Sequence, residues 1–291
     1  MEVVGGRIED LDLKLFGRMN TVPSTRHWSA SLRRCTIMIA LGPFILLLMT
    51  GLVPHRAQGG QVAPAIAGVW HLKFDDEFNG KQLDRTKWST TYPWGGRTNG
   101  GNHELEYYTD TAFTLSSGVL RIQADRHSSH GFKYTSGMIS SHASFNATSG
   151  YFEIRAKVPK GTGLWPAFWL APVDMSWPPE IDIMEVQGNR VDTSLMANHY
   201  ATAQGPRQTD VTWTGPDFSK TFHTFGMEWS AKQLTWYIDG VQRFYTSTHL
   251  PTKPMYLLVS FAVGGDWVGP PDSATPFPSY VQVDYIRAYQ H

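Results

Sequence analysis

The chain has 291 residues, with 25 basic and 25 acidic side chains and a formal net charge of zero, a balance that argues against a polyanionic partner such as nucleic acid. Charged residues are sparse at 17%, while aromatics reach 13% and include 11 tryptophans, side chains that fill cores or stack on the apolar faces of sugar rings. A single cysteine, Cys35, rules out an intramolecular disulfide, so an exported domain has to rely on its core, with a bound metal as the other available clamp.

In chain order, the first feature is an uncharged, 19-residue apolar run at 35–53, preceded by Arg33-Arg34 and followed by Ala57-Gln58-Gly59. Its length is that of a bilayer span. It reads either as an export signal with a small-residue cleavage site or as an uncleaved membrane anchor. Both readings put the remainder outside the cytoplasm, secreted or anchored and facing outward. Residues 1–59 are thus expected to be a leader, and 60–291 one large all-β domain working as a monomer.

Strand signals follow at short intervals. Residues 119–125 alternate, with Leu120, Ile122 and Ala124 on one face. Residues 151–158 set Phe152, Ile154, Ala156 and Val158 against Tyr151, Glu153, Arg155 and Lys157. Asp239-Gly240 between the runs 234–238 and 241–245 predicts a hairpin. An apolar run at 254–263 and a final alternation at 281–289 complete the pattern, and no long stretch carries a helical period. Regular strands separated by turn residues predict a sandwich of two antiparallel sheets.

The chemistry is concentrated at Glu180-Ile181-Asp182-Ile183-Met184-Glu185. Alternate strand residues share a face, so Glu180 and Asp182 point together while Glu185 should point away. One extra residue, a β-bulge within Ile183-Met184, returns Glu185 to the first face. Three carboxylates on one face raise one another's pKa, and a solvated strand face would interleave Lys or Arg, of which there is none between 180 and 187. A glycosidase has a use for the cluster, because it needs one ionised and one protonated carboxyl flanking a sugar bond.

This run resembles the bulged E-x-D-x-x-E signature of glycoside hydrolase family 16. Flanking blocks resemble that family in register: residues 74–80, 102–109 (Asn-His-Glu-Leu-Glu-Tyr-Tyr-Thr), 163–170, Trp177-Pro178-Pro179, Gly264-Gly265-Asp266-Trp267, 275–278 and 283–287. The likeness extends over roughly residues 70–290 and is nearest the laminarinase-like branch. It implies a β-jelly-roll sandwich with a concave substrate cleft and retention of anomeric configuration. It also implies Glu180 as nucleophile, Glu185 as acid/base, and Asp182 as the residue between them that holds Glu180. In a retaining enzyme the two working carboxyls stand about 5–5.5 Å apart, too close for both to ionise easily.

The resemblance further implies that Trp165, Trp169 and Trp267 stand at the cleft to contact sugar, and that His199 lies beside the acid/base, where it tunes Glu185 or binds sugar. Asn102, Glu106 and Arg97 lie in polar, Gly-rich loop sequence, where specificity residues collect. Trp165 and Trp169, four apart on a strand, should share a face. The resemblance also implies chemistry that requires no cofactor. Glu77, the Gly118 carbonyl and Asp284 resemble a structural Ca²⁺ site on the convex side, where oxygen ligands from distant segments suit that ion. The implied partner is a polysaccharide, β-1,3- or mixed β-1,3/1,4-glucan, cleaved internally by double displacement. Alternatives on the same fold are an enzyme of another polysaccharide (a galactan or exopolysaccharide), a transglycosylase, and a β-glucan-binding lectin without turnover.

Overall fold

The computed structural model describes residues 66–291, and the apolar run at 35–53 lies outside them. Among the described residues two antiparallel sheets carry the architecture. The larger runs β14 (Val241–Thr246), β13 (Leu234–Ile238), β12 (His223–Trp229), β7 (Gly150–Lys157), β16 (Ser279–Gln290), β4 (Val119–Ala124) and β3 (Phe113–Ser116), with β1 (His71–Asp76) also on β16. The other runs β11 (Gly205–Thr214), β10 (Thr193–Thr202), β9 (Glu180–Glu185), β8 (Leu164–Pro172), β15 (Met255–Val263) and β6 (Met138–Ser140). A short parallel pair, β2 (Glu106–Tyr108) and β5 (Tyr134–Ser136), belongs to neither ladder but is tied to β15 through Glu106 and Ser136. This is the jelly-roll sandwich that the strand pattern and the family resemblance predict.

The core lies between the sheets. Phe152, Ile154 and Ala156 of β7, with Phe225 and Met227 of β12, are buried in one cluster with Phe168 and Leu170 of β8, Ile181, Ile183 and Met184 of β9, and Leu257, Val259 and Phe261 of β15. Each large apolar side chain buried there contributes about 1.5–3 kcal/mol. The Asp239-Gly240 hairpin forms as expected, with φ of 53° and 72° at the two turn residues, the left-handed pair such a turn requires.

The alternation of β7 predicts a polar outer face, yet Tyr151 and Glu153 are buried there. Glu153 accepts hydrogen bonds from the hydroxyls of Tyr151 and Tyr285, at 2.9 and 2.8 Å, and Trp70 and Tyr289 pack beside Tyr151. The second face of β15 is covered too. Tyr256 and Leu258 pack with Tyr92, Tyr108 and Met138, so the segment around 92–108 closes one flank of the smaller sheet and leaves the rest of that face open as a cleft.

Candidate active site

The bulge is present and sits where the carboxylate spacing requires it. Against β10, Asp182 faces Ala197 and Glu185 faces Leu195, three steps on one strand against two on the other. Against β8, Asp182 faces Trp169 and Glu185 faces Ala167, again three against two. Ile183 and Met184 both turn into the core, which returns Glu185 to the side of Glu180 and Asp182. Trp236 of β13 reaches across the core from the opposite sheet, and its Nε1 donates to the Asp182 carbonyl at 2.8 Å. A buried carbonyl at the irregular point of the ladder is thereby paired.

Each acid of the trio has its own partner. Trp165 Nε1 donates to Glu185 Oε1 at 2.9 Å. The Trp177 side chain stands beside Glu180 and favours its ionised form. His199, opposite Glu180 on β10, places Nε2 2.8 Å from Asp182 Oδ2 and 3.6 Å from Glu180 Oε1. One carboxylate oxygen each of Glu180 and Asp182 and a ring nitrogen of His199 lie within 4.8 Å of one another, a spacing that these His199 contacts account for.

Burial, and then the Asp182 charge, push Glu180 and Glu185 well above the usual carboxylate range. Burial pushes Asp182 up to about 7. His199 acts against the rise at both glutamates, as does Trp177 at Glu180 and the Trp165 bond at Glu185. Near neutral pH the cluster therefore keeps protons that isolated carboxylates would have lost, and it titrates as a unit.

The cleft around these acids measures about 540 Å³, and its lining includes Tyr92, Trp94, Trp165, Trp169, Trp177 and Trp267. Trp165 and Trp169 share the cleft face of β8, as their spacing predicts. Trp267 tilts against Trp165 with ring centroids 5.1 Å apart, and Gln187 Nε2 holds its carbonyl at 3.0 Å. The turn before it needs glycine. Gly265 has φ of 107°, and a β-carbon there would stand 2.9 Å from the Asn102 carbonyl. Asn102 also lines the cleft.

Two expected sugar contacts are placed elsewhere. Arg97 donates to the Tyr108 carbonyl at 2.8 Å and to Asp110 at 3.0 Å, outside the cleft lining, because it braces the segment entering β2. Glu106 is wholly buried, its Oε2 accepting the Val263 N–H at 2.7 Å, and Glu104 reaches the cleft in its stead. Sequence reading missed Glu104, Trp94, Tyr92 and Trp177. For Trp177 a signal existed, since Pro178-Pro179 fixes it three residues before Glu180.

On the far side, β16 pairs with β1 along one part and β4 along another, which brings Glu77, Gly118 and Asp284 toward one point. The Glu77 carbonyl lies 3.8 Å from where a Gly118 β-carbon would stand. The two carboxylates carry guanidinium partners: Glu77 takes Arg287 in a two-pronged pair at 2.6 and 2.9 Å, and Asp284 takes Arg155 at 2.6 Å.

Replacing Trp165 with Phe is expected to move the alkaline limb of the pH–activity profile upward. The indole N–H favours ionised Glu185, so its loss lets the carboxyl hold its proton to higher pH. Profiles of kcat/KM for the two proteins check the direction, and a limb that moves down removes this bond from control of Glu185.

A family model described as Glycosyl hydrolases family 16 matches residues 99–287. The chain is 36% identical over 239 residues to the endo-1,3-1,4-beta-glycanase EglC of Rhizobium meliloti, covering 74% of this chain and 51% of that one. It is 32% identical over 276 residues to the glucan endo-1,3-beta-glucosidase A1 of Niallia circulans, covering 80% and 39%. It thus spans about half the length, or less, of these curated relatives. Among solved structures, the laminarinase catalytic domain of Thermotoga maritima superposes with a TM-score of 0.69 at 34% identity, over 76% of this chain and 98% of that one.

Proposed function

This chain belongs to glycosyl hydrolase family 16, and we propose that it is a retaining endo-β-glucanase that cleaves β-1,3- or mixed β-1,3/1,4-glucan by double displacement. The observation that carries this reading is the bulge, counted against both neighbouring strands, that turns Glu180, Asp182 and Glu185 to one aromatic-lined cleft.

Glu180 attacks the anomeric carbon as carboxylate. The glycosidic C–O bond breaks, and Glu185 gives its proton to the departing oxygen. A water then loses its proton to Glu185, its oxygen attacks the same carbon, and Glu180 is released. Asp182 and His199 hold the charge pattern around Glu180. The names of the relatives support both linkages. Incubation with laminarin should release reducing ends, and NMR of the first product should show the β-anomer. Binding without release would favour the lectin reading, and a first-formed α-anomer would exclude double displacement.

We also propose that domain 60–291 works outside the cytoplasm as a monomer, with 35–53 as export signal or membrane anchor. N-terminal sequencing of the exported form distinguishes the two. For calcium, the fit runs through the backbone. With Glu77 claimed by Arg287, the main-chain oxygens of Glu77 and Gly118 would hold the ion, and Asp284 would share itself with Arg155. Bound calcium would supply stability and no chemistry. At a hundredfold excess over Kd it contributes about 2.7 kcal/mol, and each kcal/mol moves Tm by roughly 2–4 °C in a domain of this size. Chelation should lower Tm accordingly without slowing turnover at assay temperature, and an unmoved Tm removes the ion.

A further inference from the structure

Beneath the cleft lies a second pair of acids that the reaction does not use. Glu104 lines the cleft at 8% exposure, and Glu106, on β2, is at 0%. The two acids lie close enough to act on each other: Glu104 holds the Glu106 carboxyl up, and Glu106 favours the ionised form of Glu104. Two buried carboxyls in contact cannot both ionise, and a hydrogen bond between them needs one proton.

The surroundings decide which member holds that proton. Glu104 accepts from Asn102 Nδ2 at 3.1 Å, from the Asn99 N–H at 3.2 Å and from the Tyr108 hydroxyl at 3.2 Å, a set that suits an ionised group. Glu106 accepts the Val263 N–H on Oε2, and its Oε1, fully buried, has no hydrogen-bond donor among the described residues. An ionised Oε1 in that position would be an unpaired buried charge, whereas a protonated one can donate to Glu104.

We propose that Glu106 is the protonated half of a carboxylic acid–carboxylate pair, a positioning residue whose donated hydrogen bond fixes Glu104 as a singly charged acceptor for a sugar hydroxyl in the cleft. The pair is packed under the glycine turn, where a β-carbon on Gly265 would lie 3.6 Å from Glu104 Cγ and 3.4 Å from the Trp165 ring. The other titratable groups around it are Tyr92 and Tyr108, whose hydroxyls burial and the two acids hold well above their usual range, and Glu185 across the cleft. Nearby basic groups face elsewhere: Arg97 toward Asp110, and His103 toward Asp266 at 2.8 Å.

This inference rests on the hydrolase reading only for the sugar contact, so its tests are of two kinds. Burial and Glu104 raise Glu106 well above the usual carboxylate range, so the folded chain keeps a proton that the unfolded chain loses above pH ~4.3. The stability this proton supports is complete below that pH and is lost as pH rises toward the folded value. Glu106→Gln offers an amide N–H in place of the acid O–H and needs no proton. The full-length Gln variant should therefore melt above wild type at about pH 8.5, by a margin that closes toward pH 5. Infrared difference spectra at neutral pH should lose one protonated-carboxyl C=O band in the variant. A Gln variant that melts lower by the same amount at both pH values, or spectra with no lost band, overturns the assignment.

The sugar contact is read from KM. Glu106→Leu, which donates nothing, should raise KM for laminarin about tenfold with little change in kcat, and Gln should recover most of it. Equal impairment of Leu and Gln refutes the positioning role. If wild type does not turn over laminarin, the hydrolase reading fails, and the melting and infrared results still decide the proton's place.

Discussion

Glu180→Gln is expected to lower kcat on laminarin by at least ~10³-fold while leaving the fold and glucan affinity in place. Gln keeps the shape and the hydrogen-bonding reach of the side chain toward Trp177 and His199 but cannot form the glycosyl ester. Because Glu180 is raised by burial and by Asp182, it is a destabilising group once ionised. The stability that goes with its proton is complete below the unfolded pKa of ~4.3 and drains away as pH rises toward the folded value, so the amide variant should melt above wild type at alkaline pH and close to it near pH 4. Activity within tenfold of wild type would remove Glu180 from the nucleophile's place. A variant that melts lower at every pH would mean that the loss of turnover reports misfolding and not chemistry.

The same cluster explains why so much of the site was legible in the sequence. Alternation is a parity rule, and three acids at positions 180, 182 and 185 violate it by one residue, so only a bulge reconciles them with a common purpose. The adjacent Ile183 and Met184, both apolar, then have to share the core face, and they do. The Asp239-Gly240 turn was legible for a similar reason, because two successive left-handed residues leave few other sequences.

Depth was not legible. Glu104 and Glu106 are two apart, and which of them meets solvent depends on the Val263 N–H and the Gly264-Gly265 turn, which arrive from more than 150 residues downstream. Tyr151 and Glu153 occupy what parity labels an outer face, but Trp70, just before β1, and Tyr285 and Tyr289 of β16 cover it. Trp236 could be read as core from its strand, and core it is, yet its indole N–H is also what pairs the Asp182 carbonyl. Nothing local to residue 236 announces that second task.

Glu185→Ala is expected to separate the two half-reactions, and its effect depends on the substrate. With laminarin the leaving group is a sugar alkoxide that needs a proton, so kcat should fall by at least ~10³-fold, within the range that general acid–base catalysis and its positioning contribute. A dinitrophenyl β-glucoside oligomer leaves without protonation, so its first step should persist, giving a burst of phenolate followed by slow turnover as the glycosyl ester on Glu180 waits for a base. Azide, which needs no base to attack, should restore turnover and yield the β-glycosyl azide. The space that Ala opens lies beside Trp165 Nε1, which loses its acceptor at 2.9 Å and becomes a donor for the incoming anion. Relief of the Asp182 repulsion also makes the variant's site more tolerant of a small anion than the wild-type site. An α-azide product would place the second carboxyl on the opposite face of the sugar and reverse the roles assigned to Glu180 and Glu185. The absence of any burst with the activated substrate would mean that Glu185 is needed for more than its proton.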